Sequence, residues 1–373
     1  MKRILHVVGG MNRGGVETWL MHVLRNIDRD RLKMDFLVHT SRECAYDDEI
    51  RRLGSPIIAC LEPSKPWQYS RRFRSALVQY GPYDVVHSHV HFYSGLHVAM
   101  AHWAGVPARI SHSHNTHDGR PSSLDRIAYR AAMRCLIRRY ATHLLCAAPA
   151  SGQALFGQES RSDPRFQVLR YGIDLTPYSA LPLDRRALRR ELSLPETGCL
   201  IGHVGRFDPQ KNHLFLVKVF SALVDQMPEA HLVLTGEGGL RDEINSLVQQ
   251  LDLRKKVTFL GLRSDIPRIM GALDAFLFPS QWEGLPVAVT EAQAAGVPCI
   301  VSEGVPRDSD VGLGLLTYVS LRSGLPAWVD AVRNSLAAHR PAWNQRECAL
   351  RAAGCDIRLA VPALEKIYVA APR

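Results

Sequence analysis

The sequence predicts an α/β protein made of two Rossmann-like halves. Three observations carry that expectation. Short apolar runs alternate with longer helix-patterned stretches along the whole chain, the rhythm of parallel layering rather than of a bundle or a sandwich. The rhythm restarts at Cys199, after a segment rich in Pro and Arg. The 373 residues, 46% of them hydrophobic, suffice for two or three domains with sizeable cores.

Taken in order, the first half should place strands near Ile4 to Val8, Met34 to Val38, Pro56 to Leu61, Asp84 to His89, Arg109 to His114, His143 to Ala147 and Phe166 to Tyr171. The second should place them near Leu200 to Val204, His231 to Thr235, Lys256 to Leu260, Ala275 to Pro279, Cys299 to Ser302 and Leu316 to Val319. The junction runs from Tyr171-Gly172-Ile173-Asp174 to Pro195. Domains are accordingly expected over residues 1–178 and 196–350. In the tail, Ile357, Val361, Leu364, Ile367 and Tyr368 fit one helical face, so a C-terminal helix over 356–373 should pack back on the first domain.

Composition narrows the class. The eight cysteines never form a C-x-x-C pair and several sit in apolar runs, so they read as reduced core thiols. The apolar stretch after Met1-Lys2-Arg3 is too short for a signal peptide and ends in glycines, as an opening strand does. Nowhere do 18 apolar residues follow one another, so no membrane span is expected and the cytoplasm is the default compartment. The formal charge of +10 fits nucleic acid, an anionic membrane, a phosphorylated substrate or plain solvated surface.

Three segments carry chemistry. Gly9-Gly10-Met11-Asn12-Arg13-Gly14-Gly15 follows the first strand and opens a helix, where backbone N–H groups can meet an anion; a plain tight turn explains it equally well. Its spacing is not the dinucleotide fingerprint G-x-G-x-x-G. Gly205-Arg206 ends the strand that opens the second half, and Lys211 follows five residues later, so two cations can converge on one diphosphate in the cleft between the halves. Glu283-Gly284-Leu285-Pro286 leads into a helix and sets Glu291 about two helical turns beyond Glu283. Such carboxylates accept paired hydroxyls of a sugar or ribose, while the helix start faces phosphate. A dipole-stabilising carboxylate and a solvated one are the plainer alternative.

With those residues in view, the chain resembles the retaining glycosyltransferases of family four, which have the GT-B fold: two Rossmann-like domains facing each other across a cleft. The resemblance runs through Gly14-Gly15, Asp84-Val85-Val86-His87-Ser88-His89, His112-Ser113-His114-Asn115, Tyr171-Gly172-Ile173-Asp174, Arg206 with Lys211, Gly236-Glu237-Gly238, Phe259-Leu260-Gly261 and Glu283 with Glu291. It points most toward exopolysaccharide or capsular-type enzymes.

That resemblance implies transfer of a hexose from a nucleotide diphosphate sugar, UDP-sugars being favoured, to an acceptor hydroxyl with retention. Arg206 and Lys211 would neutralise the diphosphate, Glu291 would hold the ribose hydroxyls and Glu283 the donor hexose. Gly14 and Gly15 would reach the phosphates, and the backbone near Leu262 and Arg263 would read the base. Gly284, Leu285 and Pro286 complete the donor loop. His114 would approach the donor sugar, with His112 as the alternative because strand ends slip by two residues. For His87 and His89 a hydrogen-bonded structural role competes at least equally with contact to the acceptor. No bound cofactor is implied. No metal is expected, and Asp308-Ser309-Asp310 is set aside as an imitation of the D-x-D motif of another fold.

The implied partners are the nucleotide sugar and a glycan, lipid-linked or small-molecule acceptor, with no nucleic acid. Arg126, Arg130, Arg134 and Arg138 recur every four residues and form a basic stripe on a helix. The stripe suits an anionic membrane surface, which would place the protein peripherally on the inner face; a solvated helix face is the competing reading. The alternatives of other classes are a non-hydrolysing sugar-nucleotide epimerase, a non-enzymatic anionic-polymer binder and a catalytically inactive sugar-nucleotide sensor.

Overall fold

A computed structural model describes residues 1–182 and 184–370; the last three residues of the expected tail helix lie outside the described residues. All thirteen apolar runs form strands, and every pairing between them is parallel. The central runs, such as Ile4–Val8, Leu200–Val204 and Cys299–Ser302, are mostly apolar and largely buried, as strands covered on both faces are.

The first sheet contains β1 (Lys2–Val8), β2 (Leu32–Val38), β3 (Ile57–Ala59), β4 (Val85–Ser88), β5 (Ala108–Ser113), β6 (His143–Cys146) and β7 (Phe166–Val168). Its order is β3-β2-β1-β4-β5-β6-β7. The second contains β8 (Leu200–Val204), β9 (His231–Thr235), β10 (Val257–Gly261), β11 (Ala275–Phe278), β12 (Cys299–Ser302) and β13 (Leu316–Val319). Its order, β10-β9-β8-β11-β12-β13, reverses direction between β8 and β11. In a Rossmann sheet, ligands bind beyond the carboxyl ends of the strands at that reversal.

The chain divides into two compact units. One comprises residues 1–172 and the segment from Ile357 onward; the other is Ile173–Asp356. In the first, Leu5, Val7, Leu37, Val86, Tyr69 and Phe73 pack on one side of the sheet. In the second, Ile201, Phe207, Leu216, Phe220, Leu232 and Trp328 form the core. Gly172 has a steric reason: a Cβ there would stand 2.6 Å from the Cα of Ile357, so the outgoing and returning chain can touch only at a glycine. The helix Ile357–Ala370 is anchored to the first unit by Tyr368, which bonds His87, and by Glu365, which accepts from the Asp28 amide.

Two expectations need correction. Six of the eight free cysteines are buried, but Cys135 and Cys348 are exposed. The arginine stripe on the helix Leu124–Tyr140 is not a row of free cations. Arg126 and Arg130 both clamp Asp118, at 2.6 and 2.7 Å, and this pairing overcomes burial to pull the carboxyl far below its usual range. Arg134 donates to the carbonyls of Leu155 and Ala154, and Arg138 to that of Phe156. Beside exposed Asp125, Arg138 and Arg139, the helix also leaves two large apolar side chains outward, Leu124 at 85% exposed and Ile127 at 55%.

Candidate active site

In the second unit the loops after β8, β9 and β10 are sewn together by close backbone passages. Gly205 donates to the Thr235 carbonyl and Gly236 to that of Gly261. Gly236 has a φ of +136°, and a Cβ there would stand 2.0 Å from the Gly205 oxygen. Gly238 lies equally tight on the backbone of Phe207, at 2.4 Å. Leu262 and Arg263 follow Gly261 in this assembly. Leu262 is 47% exposed, and Arg263 forms a bidentate pair with Asp265 at 2.8 and 2.6 Å.

Asp208 organises the next step. Its carboxylate accepts from the Lys211 amide at 3.2 Å, capping the short turn Pro209–Lys211, and lies 3.6 Å from the guanidinium of Arg206. Asn212 then adopts a left-handed conformation, φ 57°, and the helix His213–Val224 begins. That turn aims Lys211 across to the loop after β11. Its Nζ donates to Glu283 Oε1 at 2.6 Å and sits 4.7 Å from the Phe278 ring centroid. Both side chains are largely buried, 16% and 5% exposed. Gln210 reinforces the seam, donating to the Trp282 carbonyl and accepting from the Gln281 amide. Arg206 remains on the rim, its side chain 57% exposed.

Glu283 is held by its amide on the Gly304 carbonyl. Gly284 and buried Leu285 lead to Pro286, which precedes the helix Val287–Ala294. Glu291 is the fifth residue of that helix, so it stands just over one turn from the helix start, although eight residues from Glu283. Burial pushes its carboxyl up to about 8, against the opposing pull of the Tyr178 hydroxyl. Thus Lys211 and Glu283 meet directly, Arg206 joins their loop through Asp208, and Glu291 stands on the adjoining helix. Asp208, Phe278, Gln210 and Tyr178 were not singled out from sequence. Only Asp208 had a legible signal, as an Asp-Pro turn start before Lys211.

In the first unit, Gly14 caps the helix Gly15–Asn26. The helix start already has a carboxylate over it: a Cβ on Gly14 would stand 2.3 Å from Glu17 Oε2.

His114 is buried, and both ring nitrogens are engaged. Nδ1 bonds the Tyr171 hydroxyl, and Nε2 lies 2.8 Å from His89 Nδ1. His89 Nε2 in turn lies 3.0 Å from His6 Nδ1. His112 is wholly buried; its Nδ1 is 3.1 Å from His87 Nε2, and His87 Nδ1 is 2.7 Å from the Tyr368 hydroxyl. Burial depresses all five imidazoles, His6 and His114 to about 3. These rings also make up the two His, Cys, Asp or Glu groups dense enough to hold an ion among the described residues: His6-His87-His89 and His89-His112-His114. Asp308 and Asp310 belong to neither, and Asp310 accepts from the Gly312 amide.

Comparison with known proteins identifies the family. A model for glycosyl transferases group 1 matches residues 184–310, and one for a glycosyl transferase 4-like domain matches residues 14–172. EpsF of Bacillus subtilis (strain 168), named as a glycosyltransferase, is 37% identical over 372 residues, covering 98% of this chain and 96% of its own. This chain is a family-four glycosyltransferase. Part of the glycosyltransferase is also 32% identical to the Escherichia coli UDP-Gal:α-D-GlcNAc-diphosphoundecaprenol α-1,3-galactosyltransferase, over 59% of this chain and 58% of that one. Its fold matches HepE from Anabaena, solved in complex with UDP-glucose, with a TM-score of 0.81 at 19% identity, covering 99% of this chain and all of that one. The fold is GT-B, and family membership favours transfer over the epimerase and polymer-binder readings. No helix among the described residues is long and apolar enough to cross a membrane.

Proposed function

We propose that the glycosyltransferase moves a hexose from a UDP-sugar to a hydroxyl of a lipid-linked glycan in polysaccharide synthesis, with retention and without a metal ion. The observation that carries this reading is the Lys211–Glu283 pair, with Arg206 beside it, at the carboxyl ends of β8 and β11, where the strand order reverses. A diphosphate there meets two cations. Lys211 turns from Glu283 to the leaving phosphate, and the released Glu283 carboxylate accepts hydroxyls of the donor hexose.

Glu291 holds the ribose hydroxyls once ionised, and the Leu262–Arg263 backbone reads the base. Fixed cations and helix amides stabilise the charge that grows on the departing diphosphate, which takes the acceptor's proton on the same face of the sugar. From the first unit, the family resemblance assigns Gly14 and Gly15 to the phosphates and His114 to the sugar. The names of the relatives support the substrates: HepE was solved with UDP-glucose, and the E. coli galactosyltransferase is named for a UDP-sugar and a diphosphoundecaprenol-linked acceptor. A lipid-linked acceptor places the enzyme peripherally on the inner face of the membrane, with outward Leu124 and Ile127 as the apolar contact.

The test is direct. UDP- and GDP-hexoses are incubated with the enzyme and a short-chain polyprenyl diphosphate sugar, with and without EDTA. The expected product carries a new α-linkage and UDP is released at the same rate in both arms. A β-linked product, use of GDP-sugars alone, or loss of activity in EDTA would sink the corresponding part.

A further inference from the structure

Five imidazoles of the first unit, those of His6, His87, His89, His112 and His114, are joined to one another and to two phenols rather than to carboxylates or main chain. His6 and His87 are register partners on β1 and β4, and His87 pairs with Ile110 on β5. Alternation along the strands therefore puts His112, His89 and His114 on the same side of the sheet. The three ring-to-ring contacts share one geometry. In His89–His114, His6–His89 and His87–His112 the ring centroids lie 5.0, 5.3 and 5.2 Å apart, and the planes are inclined by only 25°, 15° and 9°. Those separations are close to one N···N hydrogen bond plus two ring radii. Each pair thus meets edge to edge in a nearly common plane, with the lone pair of one ring aimed along the N–H of the next.

This geometry decides against a metal. Nitrogens around a tetrahedral zinc stand about 3.3 Å apart, given bonds of about 2.0 Å, and their lone pairs converge on one point. Here the nitrogens of the bonded pairs are 2.8, 3.0 and 3.1 Å apart and address each other. A neutral imidazole has one N–H and one bare nitrogen, so every link is filled by a single proton only if successive rings point the same way.

We propose that these rings form a tautomer-locked file, and that His89 is the positioning residue that fixes His114 as a neutral imidazole with its proton on Nε2. The second half of the proposal rests on the reading that gives His114 a part in sugar transfer. The phenols set the direction, because a phenol O–H is a better donor to imidazole nitrogen than acceptor from it. Tyr171 donates to His114 Nδ1, His114 Nε2 to His89 Nδ1, and His89 Nε2 to His6 Nδ1. Tyr368 donates likewise to His87 Nδ1, and His87 Nε2 to His112 Nδ1. A long contact of 3.5 Å between His6 Nε2 and the Tyr368 hydroxyl joins the two runs in the same sense. The file ends at His112 Nε2, which has no hydrogen-bond partner among the described residues and is enclosed by the edge-on ring of Trp19.

The test begins with the unaltered protein. Nitrogen-15 spectra of labelled histidine at neutral pH should show all five rings in the Nε2–H form; mixed tautomers, or a stoichiometric bound metal found by elemental analysis, would overturn the file. His89→Ala should release His114 into a tautomer mixture and lower kcat about tenfold with donor KM unchanged, the size of one lost hydrogen bond. His89→Asn, whose amide reproduces the Nδ1 contact, should restore the single tautomer and most of kcat. A folded His89→Ala with an unchanged His114 tautomer and kcat would defeat the positioning role. If His114→Asn itself keeps full kcat, the assignment of His114 to transfer fails instead, and the spectra still judge the file.

Discussion

The two units differ most in what they do with histidine. In the first, five imidazoles from β1, β4, β5 and the residues just after them pair with one another inside the domain. In the second, His203 donates from Nδ1 to the Leu277 carbonyl, His213 packs edge-on against it, and neither is joined to a further ring by a hydrogen bond. The second unit instead sets its polar chemistry at the strand ends, as the buried Lys211–Glu283 pair. One strand order thus supports a polar interior that stays neutral and a polar rim whose charges exchange partners. Neutral groups can be shut away at the cost of hydrogen bonds alone, whereas charges need a partner at every moment.

The comparison is broken most sharply at Lys211. Lys211→Ala should lower kcat by about 10²–10³, the loss expected for one preorganised charge stabiliser, and should also destabilise the fold by removing the cation that faces the buried Glu283 carboxylate. Steady-state kinetics beside thermal unfolding check both. Arg206→Ala should lower kcat comparably but leave stability within about 0.5 kcal/mol, because its side chain is mostly exposed. Equal loss of stability in the two variants would erase the distinction between rim and buried cation.

Acid should separate the units next. Buried imidazoles whose folded pKa lies below the ordinary 6.5 stabilise the fold least when the unfolded chain is protonated. Stability should therefore be complete above about 6.5 and fall as pH drops toward about 3, by up to about 1.4 kcal/mol per pH unit for each such group. The first unit, with the imidazole file, should lose hydrogen-exchange protection at pH 5 before the second. Uniform loss across both sheets would contradict this.

Glu291 gives a smaller effect of related origin. Its carboxyl is raised to about 8 by burial, and the ionised form accepts paired ribose hydroxyls better than the protonated one, which spends one oxygen as a donor. Nucleotide affinity should rise with pH up to about 8 and then level, and calorimetry on Glu291→Gln should show weaker, pH-independent binding. The smallest effect concerns the membrane. Replacing Leu124 and Ile127 with Ser should weaken sedimentation with anionic vesicles several-fold, whereas an unaltered partition would remove that contact.

The strands were legible because most of their runs are short and mainly apolar, and the second-unit motif because Arg206, Lys211, Glu283 and Glu291 keep recognisable spacing. Partners were less legible than positions. A four-residue repeat of arginine locates a helix face, but nothing near it in sequence shows that Asp118 waits beyond a loop to take two of the guanidiniums. His6, Tyr171 and Tyr368 likewise gave no local sign of belonging with His87 and His114. Their association is set by strand register and by a helix that returns from beyond the second unit.

That return makes the order of synthesis differ from the order of completion. The seven strands of the first unit are made first, yet the helix that brings Tyr368 to His87 leaves the ribosome only after the whole of Ile173–Asp356. A nascent chain therefore holds a sheet with an unsealed polar interior while the later-made unit, continuous in sequence, can already close around its own core. Chaperones and proteases should encounter the older half of this molecule as its younger folded state.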